Sequence, residues 1–208
     1  MTRTAVVAYT RLALALACVV SLVARYQWGV GSATFRAGNF FGYLTIQSNI
    51  AFVISSVLAG VLAWRLARDP AWLNTVRAAV LACTVSSGAI YVVIVQQSAA
   101  VGLAITVPWS DILLHFVIPP LAIAEWILSP GRGRARWITP LLAVGFTVGW
   151  GIVTLIRGAI VGWYPYFFLD PNQVSIGQLA LLCGIALAFF AGVASGVVGL
   201  SRLRRKRR

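Results

Sequence analysis

Residues 176–200 read IGQLALLCGIALAFFAGVASGVVGL, a 25-residue stretch without one charged side chain. A helix needs about 20 apolar residues to cross roughly 30 Å of hydrocarbon, so this stretch is long enough to span a bilayer. Working outward from it, five more apolar runs lie at 5–28, 42–66, 75–97, 109–129 and 138–160, separated by segments richer in Arg, Gly, Pro or Asn. The expected fold is therefore all-α: a polytopic membrane protein built as a bundle of six transmembrane helices, one domain over 1–201 with a basic tail at 202–208. Across 208 residues, 60% are hydrophobic and 10% charged, and the mean hydropathy is +0.89. A water-soluble domain cannot cover its surface with so few charges, and six spans leave no room for an appended soluble catalytic domain.

The net charge of +13 first suggests nucleic acid, but a basic soluble binder would not carry this much apolar sequence between its charges. Sorting the cations by side explains the excess. With both termini cytoplasmic, fourteen bases fall inside (Arg3, Arg11, Arg65, Arg68, Arg77, Arg132, Arg134, Arg136, Arg202, Arg204, Arg205, Lys206, Arg207, Arg208) and three outside (Arg25, Arg36, Arg157). That bias obeys the positive-inside rule and predicts a plasma-membrane protein with both ends in the cytoplasm, its basic loops and tail attracted to anionic lipids. No small-residue cleavage site ends the first span, so it is read as retained. Cys18, Cys83 and Cys183 lie in apolar runs without CxxC spacing and read as small hydrophobes; with a single histidine, neither a metal nor a cofactor is expected. Gly145-x₃-Gly149 and Gly192-x₃-Gly196 permit close helix approach, either within the bundle or at a homodimer face.

Ionisable groups inside spans are costly, and the few here can be weighed one by one. His115, the sole histidine, falls in the fourth span, with Asp111 one turn earlier on the same face. Asp111 is expected either to hydrogen-bond the imidazole and select its tautomer or to serve as a first-turn acid favoured by the helix dipole. In the second span Thr45, Ser48, Asn49, Ser55 and Ser56 share a face, and in the third so do Thr84, Ser87, Gly88 and Tyr91. Such hydroxyls often only join helices together. Depth argues for more, because Thr45 and His115 both lie roughly 5–8 Å below the outer boundary and can meet. Pro119 and Pro120 deprive the His115 and Phe116 carbonyls of helical partners, so a bend is expected there. Glu125 sits near the cytoplasmic end, within reach of its interface.

The outer loop Gly162-Trp163-Tyr164-Pro165-Tyr166-Phe167-Phe168-Leu169-Asp170-Pro171-Asn172 reads as an aromatic belt that can also roof a pocket. Taken with Phe40-Phe41-Gly42-Tyr43-Leu44-Thr45 and His115-x₄-Pro120-x₄-Glu125, its Tyr164-Pro165 and Phe168-Leu169-Asp170 elements resemble the androgen-induced membrane protein family, in particular a bacterial branch of it. Those are multi-pass hydrolases of fatty acid esters of hydroxy fatty acids that use a threonine nucleophile with a histidine. The resemblance implies Thr45 as nucleophile and His115 as base. The loop departs from the compact family form by inserting Tyr166 and Phe167, which bears on substrate fit.

The chemistry is coherent on the residues alone. A threonine hydroxyl needs a base within hydrogen-bond reach to attack an ester, and the resulting oxyanion needs donors. Asn49, Tyr164, Arg157 and free backbone amides near the outer helix ends are the candidates, with Asp111 and Asp170 as orienting groups. The expected substrate is a fatty-acyl ester entering from lipid. Two other classes compete: a small carrier with a His115/Asp111 proton relay, and a non-catalytic membrane scaffold.

Overall fold

The computed structural model describes residues 3–100, 102 and 106–203. It contains six long apolar helices: α1 (Arg3–Val30), α2 (Leu44–Arg65), α3 (Ala71–Ala100), α4 (Trp109–Leu128), α5 (Thr139–Val161) and α6 (Ile176–Leu200). Among the described residues there is no strand. By length and composition all six can cross a membrane, so the chain is a multi-pass, all-helical membrane protein. Residues 204–208 of the expected tail lie outside the described residues, while Arg202 is docked rather than free: its guanidinium donates to the Ala135 and Val198 carbonyls and lies 4.8 Å over the Trp137 ring.

Local chemistry sets the helix ends. Ser175 and Gln178 form a reciprocal capping box at the start of α6. Pro140 occupies the first turn of α5, and Gly162 ends that helix at φ 68°, a conformation suited to glycine. Helix α3 is the centre of the bundle and packs against α2, α4, α5 and α6, while α1 lies along α2. Phe52, Leu81, Leu114, Ile118, Trp126 and Phe190 fill the space between them. Half of the apolar window of α2 and of α3 is buried (50%), against 22% for α5 and α6, which turn broad faces outward. Gly145, Gly149, Gly192 and Gly196 lie on those faces, and a Cβ at any of them meets nothing within 4 Å. Neither glycine pair therefore serves packing within the bundle.

Helix α4 departs from the expected local break. Residues Leu113–Val117 form a π-helical turn, in which the Ile118 N–H reaches back to the Leu113 carbonyl. The wide turn directly precedes Pro119 and Pro120 and places His115 within it. The His115 carbonyl faces α3 at Gly88, where an added Cβ would lie 2.8 Å from that oxygen. Only glycine lets the two backbones approach so closely.

The start of α1, the end of α6, the α2–α3 connection and the α4–α5 connection gather at one end of the bundle, here called the termini end. Four charged side chains are buried there. Arg11 binds Asp69 through both terminal nitrogens, at 2.7 and 2.6 Å, and Glu125 through Nε at 2.8 Å. Arg77 binds Glu125 at 2.6 Å and Asp69 at 3.2 Å. The Ala59 carbonyl and the Ser129 hydroxyl take the remaining Arg11 contacts. This corrects one expectation: Glu125 does not reach an interface, being enclosed by two arginines. Arg11 and Arg77, counted among the inside bases, are internal ion-pair partners. The α2–α3 connection supplies Asp69 and the helices supply the rest, so no spacing within one span reveals the network.

Candidate functional site

At the opposite end, a cavity of about 670 Å³ opens between α1, α2, α3 and α4, under the loops that precede α2 and α6. Its exposed rim includes Trp28, Ser32, Thr34 and Arg36. Deeper on its wall lie Thr45, Ser87, Tyr91, Asp111 and His115. The two residues singled out as nucleophile and base, from α2 and α4, thus line one cavity, and both are largely buried.

His115 is held on three sides. Its Nδ1 lies 2.9 Å from the Asp111 carbonyl oxygen, its ring stacks on Tyr91 at 3.7 Å with 13° between planes, and its own carbonyl abuts Gly88. A carbonyl only accepts, so Nδ1 donates and Nε2 keeps its lone pair. The tautomer is therefore set by the Asp111 backbone, not by the carboxylate as the i, i+4 spacing suggested. The Asp111 carboxylate instead binds Arg25 Nε at 2.8 Å and accepts from the Tyr91 hydroxyl at 3.3 Å. Asp111 stands in the first turn of α4, where the helix dipole favours an acid.

Thr45 is the second residue of α2, among backbone N–H groups that have no partner inside the helix. The Tyr166 hydroxyl is close enough to interact with the Thr45 hydroxyl and with the N–H groups of Leu44 and Thr45. Burial pushes the Tyr166 phenol up to about 12, so it stays a neutral donor. Tyr166 stacks on Phe168 at 5.4 Å and meets Tyr43 edge-on at 6.2 Å. The inserted loop residue therefore comes to lie beside the candidate nucleophile.

The other expected donors sit elsewhere. Asn49 is fully buried behind Thr45, its amide donating to the Thr45 carbonyl at 2.9 Å and its oxygen accepting from the Cys18 thiol at 3.4 Å, and it does not line the cavity. Tyr164 packs flat against Gly158 of α5, where a Cβ would collide with its ring, and is also off the wall. Arg157 donates to Asn39 Oδ1 at 2.6 Å and lies 5.4 Å over Trp163, one residue back from the cavity. Asp170 accepts from the Asn172 N–H, the Asn172 amide and the Gln173 amide within its own turn, which holds it below its ordinary carboxylate value. Of the polar stripe on α2, only Thr45 reaches this cavity. Ser48 turns to Ser87 at 3.3 Å, and Ser55 closes on the Phe52 carbonyl.

Tyr166, Tyr91 and Arg25 complete the site, and sequence reasoning gave none of them its role. Tyr91 was visible as part of a helical face, but Tyr166 is placed by loop closure and Arg25 by a long-range ion pair, neither of which leaves a periodic signal. The chain matches no family model, no characterised protein and no solved structure.

Proposed function

We propose that the protein is an intramembrane hydrolase of fatty-acyl esters, with Thr45 as nucleophile and His115 as general base. One observation carries this reading: Thr45 and His115 stand on the wall of one cavity, and the bond from His115 Nδ1 to the Asp111 carbonyl leaves Nε2 as the acceptor. Thr45 Oγ attacks the ester carbonyl carbon while its proton passes to Nε2. The C–O bond to the alcohol then breaks, and the imidazolium returns the proton to the departing oxygen. Water, deprotonated by the same nitrogen, releases the acid and restores Thr45. The oxyanion is met by the Tyr166 hydroxyl, at the positive end of the α2 helix dipole. The resemblance to the androgen-induced membrane protein family agrees with this assignment. The charge bias supports a plasma-membrane placement with both termini cytoplasmic and the cavity facing outward; a reporter fused after Arg208 is then active only in the cytoplasm.

The test is turnover of a chromogenic medium-chain ester by the full chain in detergent. Thr45→Ala and His115→Ala are each expected to lower turnover by at least about a hundredfold, consistent with the magnitude of acid–base catalysis, while Thr45→Ser keeps activity. Activity that survives Thr45→Ala overturns the assignment.

A second reading is favoured by a separate observation. The cavity is open at one end while buried ion pairs close the other, an arrangement that also suits a carrier alternating between two openings. Proton-coupled uptake into liposomes, with no ester turnover, would select it.

A further inference from the structure

The pocket end carries three guanidiniums, Arg25, Arg36 and Arg157, and the chain's other acids do little to balance them there. Asp69 and Glu125 are locked at the termini end, Asp170 is engaged by its own turn off the cavity wall, and only Asp111 faces the cavity. Three cations against Asp111 and Asp170 leave a net charge of +1 at this end, and among the described residues only Arg25 has a carboxylate partner. Two of the three are already held in place. Arg25 is fixed by Asp111 and by the Trp28 ring at 4.7 Å, and Arg157 by the neutral Asn39 oxygen and the Trp163 ring. Arg36 lines the cavity, is exposed, and pairs with no carboxylate among the described residues. Arg25 and Arg157 are thus held before a ligand arrives, while Arg36 is ordered by the ligand itself, at some cost in side-chain freedom. The tryptophans that carry them also line the cavity, as befits the headgroup level of a bilayer.

We propose that this mouth is a binding site for a phosphate monoester headgroup, so that the ester presented to Thr45 belongs to an acylated glycerol phosphate. A phosphate monoester carries close to two negative charges on three acceptor oxygens and can serve both guanidiniums that lack a carboxylate partner, Arg36 and Arg157, whereas the two oxygens of a carboxylate are taken up by one. Arg36 makes the direct contact, and Arg157, with Asn39 between it and the cavity, supports it. The assignment rests on the hydrolase reading for what happens to the ester, but not for the binding.

The test uses the full chain carrying Thr45→Ala, in neutral detergent, so that no turnover occurs. Equilibrium binding is measured for three lipids with the same acyl chain: the 1-acylglycerol 3-phosphate, the free fatty acid and the monoacylglycerol. The phosphate lipid is expected to bind about tenfold more tightly than the fatty acid, with the monoacylglycerol weakest, on the scale of one charge-assisted hydrogen bond. Arg36→Gln with Arg157→Gln should bring the three within about twofold, and raised salt should narrow the gap. Should the double variant fold poorly, Arg36→Gln alone, which breaks no side-chain hydrogen bond or ion pair among the described residues, must still lose about fivefold for the phosphate lipid. Equal binding of the neutral lipid or of the fatty acid, or a preference that survives these substitutions, overturns the proposal. Displacement by an equal concentration of inorganic phosphate does so too, by assigning the site to a soluble anion. Because binding is read without a nucleophile, this result and loss of ester turnover are separate outcomes.

Discussion

At the termini end, two arginines and two carboxylates from four segments close on one another, their side chains 7% exposed or less. At the pocket end, Arg25, Arg36 and Asp111 line a cavity of about 670 Å³, and Arg36 and Arg157 have no carboxylate partner among the described residues. The same residue types are used in both places. In the first, the two cations and two anions match one another, and the group holds the helices in register. In the second, the mismatch and the empty volume together describe a site that is completed by a ligand. Buried charge alone marks neither stability nor function; what separates the two is whether the protein itself satisfies it.

The largest effect should come from unbalancing the matched end. Glu125→Leu leaves Asp69 alone to answer both arginines, Arg77 keeping only its longer 3.2 Å contact, and is expected to destabilise by about 3–5 kcal/mol, whereas Glu125→Leu with Arg77→Met keeps the Arg11–Asp69 pair and recovers most of that loss. Unfolding of both variants in a denaturing detergent series checks this, and equal destabilisation would break the comparison. Next, Gly88→Ala puts a methyl group against the His115 carbonyl and should cost about 1–3 kcal/mol, because the opposing atom is backbone and cannot swing aside. It should also lower ester turnover by displacing the imidazole, which Gly60→Ala, against the flexible Leu12 side chain and far from the cavity, should not.

Smaller again is Trp150→Phe. It removes the 2.9 Å bond to the Gly42 carbonyl that ties α5 to the loop before α2, for about 1 kcal/mol by the same unfolding measurement. Asp170→Ala is expected to leave turnover within about twofold, since surface changes away from a site seldom matter. The Asp170 turn does have its own pH signature. Its carboxyl is held below the ordinary value, so its hydrogen bonds are intact above the carboxylate range and are lost as pH falls through the folded value. Amide exchange at Asn172 should therefore accelerate only in acid.

The spans were legible because a bilayer imposes a length and a composition on each helix, and 176–200 has the same limits in sequence and structure. Thr45 and His115 were legible because polar groups at matching depth in apolar helices are few. The π-helical turn was not, since prolines announce a disturbed ladder without saying how the backbone absorbs it. Nor were the partners of Asp111, Glu125 and Tyr166, which depend on how distant helices rotate and how one loop folds back. Helix spacing put Asp111 beside His115 but left open whether it orients the ring or serves as a first-turn acid, and the residue does both through different atoms. The side chain turns to Arg25 and the backbone carbonyl turns to the ring.

The central claim is that the hollow end does chemistry through one hydroxyl. Treating the full chain with a fluorophosphonate and mapping the adduct by peptide mass spectrometry addresses it most directly. The account predicts a single adduct on Thr45 that disappears in His115→Ala. An adduct on Ser87, the other aliphatic hydroxyl on the inner wall, or no adduct on a chain that hydrolyses esters, would contradict it.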